Sequence, residues 1–250
     1  MITVIVLTKN EEKNIERCLE SVKWCDEVVV IDDGSKDNTL KIAEKYNAKV
    51  YLHDLNNDFS LQRNFGLQKA KNEWVLFIDA DEVVSEPLIY EIQNVIGLKS
   101  QNLKNYNGFC IKRSDYIWGR QLKYGESGNL MFLRLGRRGK GIWQGKAHEK
   151  WEIEGEIAEL KNSILHFPHS TLAEFLREIN FYTDIRANEL RDKKAGVSFW
   201  SIILYPIGKF MTSYILKKGF MDGIQGLMFA ISMSFHSFLV RSKLYLLNNE

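Results

Sequence analysis

The first hundred residues alternate between two hydrophobic periods. Ile2-Thr3-Val4-Ile5-Val6-Leu7 is an unbroken β-branched run, the pattern of a strand buried on both faces. Asn10 is placed to cap the following helix, with Glu11 and Glu12 in its first turn. Ile15, Cys18, Leu19 and Val22 then recur at helical spacing. Val28–Ile31 predicts a second strand, ended by the turn residues Asp32-Asp33-Gly34-Ser35. Asp37 or Asn38 can cap a helix that ends near Tyr46, and Lys49–Leu52 predicts a third strand. A helix over Ser60–Ala70, a strand over Trp74–Ile78 and a helix over Glu86–Lys99 follow, the last with Leu88, Ile92, Val95 and Ile96 on one face.

This β-α-β-α-β-α-β order predicts an α/β fold: a mostly parallel sheet with helices on both faces. From Tyr106 to His169 the pattern loosens. Gly108–Lys112 and Met131–Leu135 read as strands. Gly125, Gly128, Gly136, Gly139, Gly141 and Gly145 interrupt the rest, which predicts irregular loops in the second half of the same domain. Beyond Pro168, Thr171 with Glu174 forms a capping-box signature. Leu172, Phe175, Leu176, Ile179 and Leu190 give the helix it opens an apolar stripe. The expected organisation is a catalytic domain over 1–169, divided into halves 1–100 and 101–169, followed by a helical, apolar region over 170–250.

Composition narrows the class. The 250 residues are 45% hydrophobic and 26% charged, a balance that points to a folded domain and away from disorder. A formal net charge of +2 gives no support for nucleic-acid binding. Cys18, Cys25 and Cys110 are odd in number and lack zinc-site spacing, so buried thiols in a reducing compartment are expected. Met1–Leu7 runs directly into a strand without a signal-peptide pattern, which predicts a cytoplasmic active domain.

In parallel α/β sheets, ligands bind beyond the carboxyl ends of the strands. Two acidic pairs stand there: Asp32-Asp33 after the second strand, Asp79 and Asp81 after the fourth. Exposed carboxylates add nothing to a core, whereas a site for a metal and a polar ligand needs them.

Four motifs occur in a telling order: Thr8-Lys9-Asn10-Glu11, Val30-Ile31-Asp32-Asp33-Gly34-Ser35, Gln62-Arg63-Asn64 and Asp79-Ala80-Asp81-Glu82. The chain thereby resembles the family 2 glycosyltransferases of GT-A, Rossmann-like fold. Phe132–Leu135, Ala147-His148-Glu149, His166 and Gly219–Gly226 extend the likeness to a bacterial subgroup that includes lipopolysaccharide-core β-glucosyltransferases.

The resemblance implies a nucleotide-sugar donor, in particular a UDP-sugar, and a divalent cation, Mg²⁺ or Mn²⁺. Asp79 and Asp81, spaced to point the same way on an extended segment, are expected metal ligands with His166; otherwise they form a solvated turn. His169 is a weaker candidate. Asp33 and then Asp32 are expected at the nucleoside, although an Asx-turn would also use these acids. Thr8 and Glu11 border that pocket. Arg63 suits diphosphate or sugar oxygens, or a surface ion pair. Inverting transfer needs a base for the acceptor hydroxyl, and Glu149 holds the matching position, with Asp115 and Glu126 as rivals. Lys9 and His148 are possible donor or acceptor contacts.

The implied function is inverting transfer of a sugar onto a cell-surface glycan such as a lipopolysaccharide core. A nucleotidyltransferase would want a glycine-rich phosphate loop after the first strand, and Thr8–Glu11 has no glycine. A degenerate, membrane-bound sugar-nucleotide binder would retain Asp33 but lose the base, and the intact Asp79, Asp81 and Glu149 weigh against it. Trp200–Ile207 and Gly223–Val240 are apolar, flanked by Lys209, Lys217, Lys218, Arg241 and Lys243. This predicts peripheral docking on the cytoplasmic face of the inner membrane, suited to a lipid-linked acceptor; core helices or a dimer interface are the alternatives.

Overall fold

The computed structural model describes residues 1–97, 105–128, 130–146, 149–168 and 171–249. The chain divides into two compact units, Met1–Arg113 with Met131–His166, and Ser114–Leu130 with Phe167–Glu250. The second unit thus ends the first at His166 and also takes the 114–130 segment, which the expected boundary at 169 had put in the catalytic half.

In the first unit the elements are β1 (Ile2–Thr8), α1 (Ile15–Glu20), β2 (Glu27–Asp32), α2 (Thr39–Lys45), β3 (Lys49–Leu52), α3 (Phe59–Lys69), β4 (Trp74–Asp79), β5 (Glu82–Val84) and α4 (Glu86–Ile96). They continue with β6 (Tyr106–Ile117), whose last residues pass into the second unit and pair there with β7 (Arg120–Gln121). β8 (Leu130–Arg137), β9 (Gly141–Gln144), β10 (Lys150–Ile153) and β11 (Glu156–His166) complete the series. The sheet runs β3-β2-β1-β4-β8-β6-β11-β5. Its first four strands are parallel, as their near-continuous apolar runs predict. The pairings of β4 with β8 and of β11 with β5 are antiparallel.

Successive β1 side chains divide between two cores, as the strand period of two requires. Ile2, Val4 and Val6 pack with Ile15, Cys18 and Leu19 of α1 and Leu88 and Ile92 of α4. Ile5 and Leu7 pack with Phe77, Trp143 and Trp151, and Phe65 of α3 lies against them. Helices therefore cover both faces. Each fully buried Val, Leu or Ile adds about 1.5–3 kcal/mol. Gly66 of α3 permits this closeness, since a Cβ there would lie 2.8 Å from Ile5 Cγ2.

Two local expectations are corrected. Asn10 caps no helix: it has a positive φ of 54°, and its side chain accepts from Lys36 N–H at 2.8 Å while its own N–H donates to Ser35 Oγ. It ties the loop after β1 to the loop after β2. The glycine-rich stretch is also strand-rich, not irregular. Gly108, Gly136 and Gly141 stand within strands, and a Cβ on Gly136 would meet Ile153 Cδ1 at 2.5 Å. These glycines mark tight packing. α4 is described only to Ile96, so Lys99 lies outside the described residues.

In the second unit, α5 (Leu172–Asp192), α6 (Phe199–Phe210) and α7 (Gly223–Leu247) form a helical assembly in which α7 packs against both α5 and α6. The Thr171–Glu174 capping box is present. Phe175 and Ile179 of the expected stripe are buried, while Leu172 and Leu176 are exposed. Phe175 stacks on Phe229 at 5.8 Å.

Candidate active site

Strand register gathers the acids. Thr8 pairs with Asp32 between β1 and β2, and Leu7 pairs with Asp79 between β1 and β4. Thr8, Asp32 and Asp79 therefore end three adjacent parallel strands within one residue of the same level, where ligands of such sheets bind.

The turn after β2 divides the labour between its two acids. Asp32 is fully buried, and its carboxylate accepts from Ser35 N–H at 2.8 Å and from Ser35 Oγ. It forms the Asx-turn, with Gly34 at φ +69°. Asp33 instead reaches outward. Its oxygens meet Lys9 Nζ at 2.6 Å and Leu55 N–H at 2.7 Å. The Thr8 hydroxyl is buried and has no hydrogen-bond partner among the described residues. Glu11 accepts from Asn14 Nδ2 at 2.7 Å, and its N–H donates to Thr39 Oγ1.

The Gln62-Arg63-Asn64 motif builds the other wall. Asp58 caps α3 by accepting from Leu61 N–H. Asn64 holds β9 through two bonds with the Trp143 backbone, each 2.9 Å. Trp143 pairs with Trp151 across the β9–β10 hairpin, the two rings stacking at 5.5 Å. Glu149 directly precedes β10. Arg63, only 4% exposed, lies 4.7 Å from the Trp143 ring centroid. It donates from Nε to Glu149 Oε1 at 2.8 Å and from Nη2 to Asp79 Oδ1 at 3.1 Å.

Arg134 completes the cluster, and sequence reasoning gave it no role. It lies on β8 beside Leu135, the partner of Leu76. Its Nη2 reaches Asp79 Oδ2 at 2.9 Å and Glu82 Oε1 at 3.3 Å. Glu82 in turn accepts from Asp79 N–H at 2.8 Å. Phe132-Leu133-Arg134-Leu135 had marked the region by resemblance, but only the pairing of β8 with β4 brings the guanidinium to Asp79. The Nη1 groups of Arg63 and Arg134 are buried without a hydrogen-bond partner among the described residues.

The β5–β11 pairing aligns His166 with Glu82, one residue beyond Asp81. His166 Nε2 accordingly lies 3.2 Å from Asp81 Oδ2. The structure thus brings together two of the three expected metal ligands. Each oxygen of Asp79 is taken by a guanidinium, Oδ1 by Arg63 and Oδ2 by Arg134. Among the described residues, no group of three or more His, Cys, Asp or Glu side chains is arranged to hold a metal ion. Arg63, expected at a diphosphate, is engaged by Asp79 and Glu149.

The electrostatics follow from this wiring. Burial works to raise the Asp79 carboxyl, but Arg134 and Arg63 outweigh it and hold Asp79 well below the usual carboxylate range. Burial likewise opposes ionisation of Asp81, and His166 reverses it, leaving Asp81 lowered. Glu82 is raised, by burial first, with the negative Asp79 adding to the effect against the pull of Arg134. Cys18 donates to the Asp79 carbonyl at 3.6 Å. Its thiol is raised well above the usual range by burial and then by Glu82, Asp81 and Asp79.

The rival bases belong to the second unit. Asp115 is buried, and Glu126 is paired with Lys209 at 2.7 Å. His148 and His169 lie outside the described residues.

Known proteins resemble this chain. Residues 3–151 match the family described as Glycosyl transferase family 2. The lipopolysaccharide core biosynthesis glycosyltransferase LpsC of Rhizobium meliloti is 25% identical over 251 positions, covering 98% of this chain and 92% of its own length. An uncharacterised glycosyltransferase of Rickettsia conorii is 27% identical over 255 positions, covering 97% and 89%. Glucosyl-3-phosphoglycerate synthase from Mycobacterium tuberculosis, crystallised with phosphoglyceric acid, shares the fold. Its TM-score is 0.51 at 16% identity, with 79% of this chain and 81% of that one covered. The family match spans well over half of the chain and takes in every motif up to Glu149, so this protein is a glycosyltransferase and belongs to glycosyl transferase family 2.

Proposed function

We propose that the protein is an inverting glycosyltransferase that moves a sugar from a UDP-sugar to a hydroxyl of a bacterial cell-surface glycan such as a lipopolysaccharide core. The observation that carries this reading is the convergence of Asp81 with His166 in the unit where Arg63 holds Asp79 and Glu149. The near full-length likeness to LpsC supports the choice of acceptor.

One oxygen and one nitrogen donor suit Mg²⁺ or Mn²⁺, which keep their remaining positions for phosphate oxygens and water. Asp81 and His166 would hold this cation, and it would offset the charge on the departing diphosphate. Asp33, with Thr8 and Glu11 near it, recognises the nucleoside by hydrogen bonds to base edge or ribose. Asp79 orients Arg63 and Arg134, whose Nη1 groups, without a partner among the described residues, favour anionic oxygens. Glu149 takes the acceptor hydroxyl proton as the acceptor oxygen bonds to the anomeric carbon. The bond from that carbon to the diphosphate breaks on the opposite face, which inverts the configuration. A lipid-linked acceptor fits a cytoplasmic enzyme attached peripherally to the inner membrane.

The test is a panel of labelled UDP- and GDP-sugars with Mg²⁺ or Mn²⁺ and a truncated lipopolysaccharide-core acceptor. UDP release that needs the acceptor, with an inverted product anomer by NMR, is the expected result. A retained anomer refutes the stereochemistry, and no release from any donor refutes the reading as a whole.

A further inference from the structure

The C-terminal unit leaves a large apolar surface uncovered. α6 has no buried residue, although it packs along α7. Phe199 and Trp200 are 66% and 65% exposed, and Leu204 and Ile207 are also exposed. Leu216 and Phe220 continue this surface through the turns between the helices. A small soluble domain rarely leaves so many large side chains in water without a partner.

The charge on this segment indicates which partner. From Val197 to Asn249 the sequence has five cations, Lys209, Lys217, Lys218, Arg241 and Lys243, and a single carboxylate, Asp222. Asp222 is buried, accepting from the N–H groups of Lys123 and Tyr124. Lys217 and Lys218 are exposed beside Leu216 and Phe220. Lys209 is paired with Glu126 and Lys243 with Asp184; a second copy docked on the same face would bring the remaining like charges, Lys217 and Lys218 among them, together. An anionic bilayer offers both an apolar interior and negative headgroups. Exposed Trp and Tyr side chains, such as Trp200 and Tyr205, are suited to the headgroup level.

The mode of attachment can also be argued. Gly219–Leu247 is long and apolar enough to cross a membrane. Yet α7 is tied to α5 near its end: Lys243 Nζ donates to the Asn180 carbonyl at 2.8 Å and Thr183 Oγ1 at 2.9 Å, and pairs with Asp184 at 2.6 Å. α5 carries charges along its length, among them Arg177, Glu178, Arg186 and Glu189. A spanning α7 would break these bonds or draw those charges into hydrocarbon.

We propose that α6 and the turns leading to α7 form an in-plane docking surface for an anionic phospholipid bilayer, supported by α7, which packs against both α5 and α6. This proposal stands apart from the catalytic reading. It is tested by flotation of the full-length protein with phosphatidylglycerol–phosphatidylcholine vesicles, beside phosphatidylcholine alone. The intact protein should float with the anionic vesicles at low salt. Lys217→Gln and Lys218→Gln should each lower that partition about fivefold. Phe199→Glu with Leu204→Glu, at exposed positions that leave the core intact, should lower it about 100-fold or more. Circular-dichroism melts confirm that each variant is folded. Alkaline carbonate should release the bound protein. The proposal is overturned if the intact protein does not float or if the lysine variants float like the parent. Resistance to carbonate would mean that α7 spans. A dimer that the double glutamate variant dissociates in sedimentation velocity would mean that a second copy covers the face.

Discussion

Arg63 Nε lies 2.8 Å from Glu149 Oε1, so the residue expected to grip the diphosphate holds the residue expected to serve as base. The same guanidinium reaches Asp79, so one buried cation holds both carboxylates. Donor oxygens that draw on Arg63 would loosen its hold on Glu149, which couples donor binding to release of the base. Glu149→Gln keeps the shape and a bond to Arg63 but removes the base. Transfer should fall by about 10²–10⁴-fold, while UDP affinity measured by calorimetry stays near that of the parent. Barely altered turnover would move the base elsewhere, and Asp115 and Glu126 would be next to test.

The proposed cation site gives a second expectation. Asp81→Asn and His166→Gln should each abolish Mn²⁺ binding measured by electron paramagnetic resonance in the presence of UDP. Asp79→Asn acts from outside that pair and should cost on the order of tenfold. Excess EDTA should stop turnover. Equal losses in Asp79→Asn and Asp81→Asn would restore Asp79 as a direct ligand.

What could be read from the sequence followed from period and position. The buried parallel strands appear as β-branched runs, and the acids fall where those runs end. His166 could be flagged only by resemblance, because its meeting with Asp81 depends on the antiparallel register of β5 and β11. Arg134 was missed for the same reason: a long-range strand pairing leaves no local trace. The glycines misled because one residue type serves two ends, positive φ in turns and close packing in strands. Gly34 does the first and Gly136 the second. Asn10 misled in a similar way, since the hydrogen-bonding habit that caps helices also clips loops together.

The cluster around Asp79 should govern acid stability. Its folded-state pKa lies below the unfolded value of about 3.9, so in acid the unfolded chain binds the extra proton. Asp79 therefore stabilises the fold above about pH 4, and this contribution is lost as pH falls through the depressed folded value. Thermal melts at pH 5, 4, 3 and 2 should show Asp79→Asn with a shallower loss than the parent. Parallel curves would mean that the unfolded and folded values are alike.

Arg134 is the counterion on which Asp79 and Glu82 both depend. Arg134→Met should destabilise by about 3–5 kcal/mol, the usual cost of stripping one partner from buried charges. Arg134→Lys should recover only part of this, because an ammonium cannot match the planar fork that reaches both acids. Urea unfolding measures both variants. Full recovery by lysine would reduce Arg134 to a point charge.

The last expectation concerns a residue with no side chain. A Cβ on Gly136 would lie 2.5 Å from Ile153 Cδ1 and 2.8 Å from the Trp151 ring. The Ile153 methyl can move, but the Trp151 indole is stacked on Trp143 and packed edge-on against Phe77 at 5.1 Å. Gly136→Ala should therefore overpack this core at a cost of about 1–3 kcal/mol, a drop in Tm of roughly 2–12 °C for a chain of this size. Gly196→Ala, with open space around it, is the control and should leave Tm unchanged. The strain should also reach the site, since Trp143 lies over Arg63 and its backbone is gripped by Asn64. Gly136→Ala should thus lose activity at temperatures well below its own melting point, with kcat falling more than UDP affinity. A lowered Tm with full activity below it would mean that the Trp pair stabilises the fold without aligning Arg63 and Glu149. An unchanged Tm would mean that the hairpin yields freely, and that Gly136 is not a packing position at all.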